Sequence, residues 1–347
     1  MSDFKMKNII RKNVENLQPY SSARDEFTDF SKEMIFIDAN ENPYNTGLNR
    51  YPDPHQSDLK KRISILNDVP VCKILLGNGS DEVLDLLFRA FCEPGKNNII
   101  TLPPTYGMYG VLANINNVEN RKVLLTPDFQ INESKILENT DNHTKIIFIC
   151  SPNNPTGNMI NLESIIHLLH KFKGLVVIDE AYIHFTEQKS WISALEKYPN
   201  LVIVQTLSKG FGMAGIRLGI CFASEKIIAV LKKIKPPYNV NTLTQKTALE
   251  KLNNIKKIKD LINSIIRERN FLLKVLVEVN FIQKVYPTEA NFILVKVDNA
   301  DKRYREILAA GIVVRNRSTQ PLCENCLRLT VGTEEENEQL IKVLKTL

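Results

Sequence analysis

Several stretches of the sequence set reactive side chains directly behind apolar, β-branched runs. After NNIITL (Asn97 to Leu102) comes PPTYGMYG, which offers Tyr106, and after TKIIFIC (Thr144 to Cys150) comes SPNNPTG, with Asn153 and Asn154. After GLVVI (Gly174 to Ile178) comes DEAY, with Asp179 and Tyr182. After LVIVQT (Leu201 to Thr206) comes LSKGFGMAGIR, with Ser208, Lys209 and Arg217. Open α/β sheets bind ligands outside the carboxyl ends of their strands, so an amine, a carboxylate, an amide and two phenols would converge on one edge. A further stretch, LGNGSDEVLDLL, puts Gly77, Gly79, Ser80 and Asp81 directly before a helix. Free backbone N–H groups and the helix dipole favour an anion there. Glu82 stands where a dinucleotide fingerprint needs its third glycine, and alone the stretch reads first as an ordinary N-cap with Ser80 or Asp81.

These groups share one use. A lysine amine forms a Schiff base with an aldehyde, a carboxylate keeps a pyridine nitrogen protonated, and an amide and a phenol bind a phenolate oxygen. An aromatic ring stacks on the heterocycle, while a helix start, hydroxyls and an arginine hold a phosphate. Those are the needs of pyridoxal 5′-phosphate (PLP).

The elements that must position such a site are legible as a pattern. Short apolar runs alternate with amphipathic stretches such as DEVLDLLFRAFCEPG, which opens on acidic residues and stops at Pro94 and Gly95. Continuous apolar strands separated by helices predict a mostly parallel sheet covered on both faces, an α/β domain over about residues 38–240. KPPYNVNT breaks the pattern. A Lys-rich helical stretch follows from about Leu243 to Val279, then strand-like NFILVKV, GIVVRN and CLRLTVG, and a terminal helix in EEENEQLIKVLKTL. This predicts a smaller α+β domain over 241–347, with residues 1–37 as an arm joining it or a dimer interface.

Composition bounds the function. The chain has 347 residues, 43% of them hydrophobic, as in ordinary globular proteins. No apolar run approaches the roughly 20 residues that cross a bilayer. The start, MSDFKMKNIIRKNVENL, lacks the apolar core of a secretory signal, so the expectation is a cytoplasmic chain. The net charge of +6 is spread, and KKIKPP (Lys232 to Pro237) has no aromatic interleaving, which argues against nucleic acid. The six cysteines read as reduced thiols. Cys323 and Cys326 have CxxC spacing but no second pair, and His167 and His170 have no acidic partner, so no metal is expected.

SPNNPTG, DEAY and LSKGFGMAGIRLG, in this order and spacing, resemble the fold type I PLP-dependent aminotransferases. LQPYSSAR, DANENPY, RYPDP, GNGSDE, PPTYGMY and CLRLTVG narrow the resemblance to the histidinol-phosphate aminotransferase family, over about Leu17 to Thr333. The resemblance implies an aspartate-aminotransferase-like fold, with a mostly parallel seven-stranded sheet in the large domain. It implies Lys209 as the Schiff-base lysine and proton carrier, and Asp179 as partner of the pyridinium nitrogen. Asn154 and Tyr182 would bind the phenolate oxygen and Tyr106 would stack on the ring. Gly79, Ser80, Asp81, Ser208 and Arg217 would hold the cofactor phosphate, with Thr206 beside them. Tyr51, from RYPDP, would reach the phosphate in a neighbouring subunit's site, implying a homodimer; as a bare residue it reads equally as a buried turn aromatic. Gly210 follows the lysine where many relatives carry another small residue, a departure expected to matter only for local packing.

For substrates the resemblance implies L-glutamate and histidinol phosphate, in histidine biosynthesis, recognised by Tyr20, Asn154, Arg315 and Arg328. A planar guanidinium fork makes bidentate bonds to phosphate or carboxylate. The chain also resembles threonine-phosphate decarboxylases, which use the same lysine and aspartate, and an aromatic amino acid aminotransferase is a further alternative.

Overall fold

The computed structural model describes residues 4–20 and 35–347. The second half of LQPYSSAR, Ser21 to Arg24, lies outside the described residues. Seven strands build the larger sheet: β1 (Ile74–Asn78), β2 (Asn98–Thr101), β3 (Glu119–Lys122), β4 (Thr144–Cys150), β5 (Leu175–Asp179), β6 (Leu201–Thr206) and β7 (Leu218–Ala223). Their spatial order is β1-β7-β6-β5-β4-β2-β3. Neighbours from β3 to β6 run parallel, and β7 runs antiparallel to both β6 and β1. The central strands are apolar without alternation because both faces are covered: every residue of β5, β6 and β7 is buried.

A smaller, wholly antiparallel sheet holds β8 (Ile282–Val285), β9 (Phe292–Val297), β10 (Arg315–Asn316) and β11 (Cys326–Thr330), in the order β10-β11-β9-β8. It is also covered on two sides. In β9, Phe292 and Leu294 join the core shared with the larger sheet, while Ile293, Val295 and Val297 join the core under the terminal helix Glu334–Thr346. In β11, Leu327 and Leu329 enter that second core. Side chains alternate along a strand, so Arg328 between them points the opposite way, towards the larger sheet. Burying two leucines is worth roughly 3–6 kcal/mol, which fixes the register that aims the arginine.

Three expectations are refined. The stretch from Leu243 to Val279 is not one helix: Thr242–Leu252 ends at Asn253, and the side chain of Asn254 caps a second helix, Ile255–Val275. GIVVRN supplies only the two-residue β10. The N-terminal segment, within its described part, does not pack on the smaller sheet. Ile9 and Val14 enter the core beneath the helix Ser80–Phe91, Arg11 N donates to Ala90 O (3.0 Å), and Lys233 Nζ donates to Glu15 O (2.7 Å). The pattern also passed over β1, β3, β7 and β8. Among the described residues, no helix is long and apolar enough to cross a membrane.

Candidate active site

The carboxyl ends of β4, β5 and β6 and the face of the smaller sheet enclose a cavity of about 410 Å³, within the range of small-molecule sites. Of the residues singled out from sequence, it brings together Ser80, Asp81, Tyr106, Asn154, Asp179, Tyr182, Thr206, Ser208, Lys209, Arg217, Arg315 and Arg328.

Asp179 forms the floor. It is the last residue of β5 and is 3% exposed. Its Oδ2 accepts from Tyr109 Oη (2.7 Å), and its Oδ1 accepts from Ala181 N (3.0 Å). Burial pushes the carboxyl up to about 6, against the opposing pull of these two hydrogen bonds. Tyr109, on the helix Met108–Ile115, is fully buried and stacks on Phe148 with ring centres 4.8 Å apart. Tyr106, three residues earlier and just before that helix, meets the Tyr109 ring edge-on at 5.5 Å and donates from its hydroxyl to Asp81 Oδ1 (3.1 Å). Above the floor, Asn154 Nδ2 donates to Tyr182 Oη (3.3 Å), and Asn154 Oδ1 accepts from Arg328 Nη1 (2.6 Å). One amide thereby ties the larger sheet to the smaller.

Lys209 follows β6 in a tight turn, with Gly212 N donating to Lys209 O (3.0 Å) and Gly212 at φ +66°. Its Nζ lies 6.0 Å from the centre of the Tyr182 ring. Burial first, then the charges of Arg328 and Arg217, lower its pKa and favour the neutral amine. Gly210 is more constrained than local packing preference alone implies, because a Cβ there would lie 2.8 Å from His184 Cβ. His184 is itself held low, at about 4, by burial. A larger residue at 210 would displace the lysine turn.

At the other end of the cavity, Thr206 Oγ1 donates to Ser208 Oγ (3.0 Å) and accepts from Ser208 N (3.1 Å). Arg217, at φ +54°, reaches Asp81 Oδ2 at 3.5 Å. Gly79, at φ +82° and directly before the helix Ser80–Phe91, lies under that guanidinium, and a Cβ there would approach Arg217 Nη2 to 2.7 Å. The positive φ is what calls for glycine there, and any side chain would also push the Arg217 guanidinium aside. Hydroxyls, a helix start and an arginine converge at this end, around a space bounded by the Tyr106 ring and the Asp179 floor. The residues present therefore fit PLP.

The third wall is cationic. Arg315 and Arg328 stand directly opposite one another in the β10–β11 pair, so they share a face. Arg328 lies over the Phe292 ring at 5.1 Å. Arg317 also lines the cavity, two residues beyond Arg315.

Tyr51, expected to serve a neighbouring subunit's site, and Tyr20 both lie outside this cavity. Tyr51 is 52% exposed, stacked on Tyr238 at 4.4 Å, and lines a separate surface hollow with Arg50 and Thr242. Tyr20 is 75% exposed and outside the cavity. Two side chains went unrecognised from sequence. Tyr109 was signalled by its three-residue spacing from Tyr106, and Arg317 by the period-two VVRNR. Cys323 and Cys326 are both buried in the core between the sheets. Among the described residues no group of three or more His, Cys, Asp or Glu side chains could hold a metal ion.

A family model described as aminotransferase class I and II matches residues 29–344. A histidinol-phosphate aminotransferase of Flavobacterium johnsoniae is 66% identical over 348 residues, covering 100% of both chains. The crystal structure of the histidinol-phosphate aminotransferase from Clostridium acetobutylicum superposes with a TM-score of 0.80 at 28% identity, over 86% of this chain and 91% of that one. A Thermus thermophilus aspartate aminotransferase variant shares the fold, with a TM-score of 0.71 at 21% identity over 85% of this chain and 88% of that one.

Proposed function

The chain belongs to the class I and II aminotransferases, and we propose that it moves an amino group between L-glutamate and imidazole acetol phosphate, giving L-histidinol phosphate and 2-oxoglutarate. The observation that carries this reading is the pairing of Lys209 and Asp179 with an arginine-rich wall across one cavity. A reaction whose phosphorylated partner has no α-carboxylate must place its anion recognition on such a wall.

PLP, the cofactor of this family, supplies when bound an aldehyde for an amine and an electron-withdrawing ring that stabilises negative charge on the substrate carbon. The protein supplies position and charge. Lys209 Nζ, whose pKa burial and the nearby arginines lower, would be the amine that holds the cofactor's aldehyde and the group that takes the proton from the substrate's α-carbon. Asp179 would hold the proton on the ring nitrogen, and the positive charge there would favour the ionised carboxylate that burial alone disfavours. Asn154 and Tyr182 would orient the phenolate oxygen, and Tyr106 would stack on the ring. Ser80, Thr206, Ser208 and Arg217, with the backbone from Gly79 to Asp81, hold the cofactor phosphate. Arg328 and Arg315 take the substrate anion, a carboxylate in one half-reaction and a phosphate in the other.

Two finer readings belong to the same proposal: a cytoplasmic setting, and a homodimer in which Tyr51 serves the neighbouring site. A tyrosine exposed outside its own cavity is available for that role. Mixing Lys209→Ala subunits with Tyr51→Phe subunits then restores activity above either parent, because each hybrid keeps one intact site; hybrids without rescue confine Tyr51 to its own subunit.

The test of the activity is a product assay. Purified enzyme with PLP, glutamate and imidazole acetol phosphate yields histidinol phosphate and 2-oxoglutarate in equal amounts. Release of CO₂ from threonine phosphate without that transamination overturns the reading.

A further inference from the structure

Arg317 has no place among the roles assigned so far. The alternation of extended chain puts it on the same side as Arg315, two residues earlier, and Arg315 stands opposite Arg328. All three line the cavity. The backbone at Arg317 is fixed: its N donates to Cys326 O (2.9 Å), and its O accepts from Gln320 N (2.9 Å). Its side chain is not. Nε of Arg317 is buried without a hydrogen-bond partner among the described residues, as are Nε of Arg328 and Oε1 of Gln320.

No carboxylate among the described residues forms an ion pair with any of the three arginines. The two acidic side chains lining the cavity are engaged elsewhere, Asp81 with Arg217 and Asp179 with Tyr109. Burial, then the charges of Arg328 and Arg315, bring Arg317 down to about 10. Three like charges kept together with donors unmade are unfavourable unless a ligand completes them. A carboxylate carries one charge on two oxygens and is satisfied by one guanidinium fork. A phosphate monoester carries up to two charges on three terminal oxygens and can occupy several.

We infer that Arg317 is a third phosphate-binding side chain of the substrate pocket, selecting a dianionic phosphomonoester over a carboxylate. The inference rests on the phosphate-substrate reading above and deepens it. Arg315 and Arg328 suffice for the carboxylate of glutamate, and Arg317 is engaged only when the anion is a phosphate.

The test uses the PLP-loaded enzyme, its Arg317→Gln variant and its Arg317→Lys variant, each with cofactor loading measured first. Inorganic phosphate is titrated as a competitor of the glutamate half-reaction, and the dissociation constant of histidinol phosphate is read from cofactor absorbance in single turnover. Losing one charge-assisted contact weakens both phosphate ligands by about tenfold or more in Arg317→Gln, while the glutamate half-reaction stays within about twofold. Arg317→Lys keeps the charge without the fork and recovers part of the loss; it also decides the matter if the glutamine variant does not fold. Unchanged phosphate binding in the variants, equal losses for glutamate, or a parent that phosphate does not inhibit overturns the inference. A parent that reacts with histidinol phosphate beside an unaffected Arg317→Gln removes Arg317 from the pocket and leaves the substrate reading standing. A parent inert to histidinol phosphate, but bound by phosphate through Arg317, removes the substrate reading and leaves the phosphate seat.

Discussion

The floor and the cationic wall of the cavity solve opposite problems. At the floor, a carboxylate 3% exposed has its partners within the chain, Tyr109 Oη at 2.7 Å and Ala181 N at 3.0 Å. At the wall, Arg315 is exposed, Arg317 and Arg328 are half-buried, and buried donors stay unmade. The floor must hold one geometry while charge develops above it, so it is preorganised on the end of a buried strand. On the proposed function the wall accepts two different anions in alternate half-reactions, which accounts for donors left without partners in the chain. Asn154 joins the two, since it donates to Tyr182 and accepts from Arg328.

Removing Lys209, the proposed nucleophile beside the floor, has the largest effect. Lys209→Ala loses turnover by several orders of magnitude yet retains cofactor through the phosphate and ring contacts. In the parent, borohydride reduction fixes the cofactor to the peptide carrying Lys209; mass spectrometry placing it on another lysine breaks the assignment.

Asp179→Asn comes next, with most activity lost and the fold kept. It also separates function from stability. The folded pKa of about 6 lies above the ordinary 3.8, so between about pH 4 and 6 the folded chain keeps a proton that the unfolded chain has lost. Stability of the cofactor-free parent therefore falls as pH rises through that window, by an amount on the order of 3 kcal/mol. The Asn variant lacks this decline and is the more stable protein above pH 6. Urea unfolding of both cofactor-free proteins across pH 4 to 8 measures it, and parallel curves would refute the buried-charge account.

The smallest of the three effects belongs to Tyr109→Phe. Its hydroxyl lowers the Asp179 pKa, so its loss raises that pKa and moves the acid limb of the activity profile to higher pH, with about a tenfold loss near neutrality. A profile lowered without moving makes Tyr109 a packing residue only.

What the sequence made legible follows from how each feature is encoded. Strands β4, β5 and β6 are buried on both faces, so they announce themselves as apolar runs, and the residues behind them could be placed on one edge. Strand β7 starts inside a glycine-rich loop and β10 is two residues long, so neither carries a period of its own. The break at Asn253 and Asn254 lay within a Lys-rich run whose charge masked the cap. Most of the cavity could be assembled from motifs. Tyr109 carries only its three-residue spacing from Tyr106 as a signal, and a tyrosine on an apolar helix face reads equally as core. Gly210 likewise looked incidental until His184 was found against it.

The division of labour between floor and wall is tested most directly by stopped-flow single turnover of both half-reactions, glutamate and histidinol phosphate, in Asp179→Asn and Arg315→Ala. The account predicts that Asp179→Asn slows both by similar factors, because both pass over the same floor. It predicts that Arg315→Ala weakens kcat/KM for histidinol phosphate by about tenfold to hundredfold, the worth of one charge-assisted hydrogen bond, and affects glutamate less because Arg328 still holds a carboxylate. Equal losses for both substrates in Arg315→Ala would contradict it, since the wall would then not be reading phosphate.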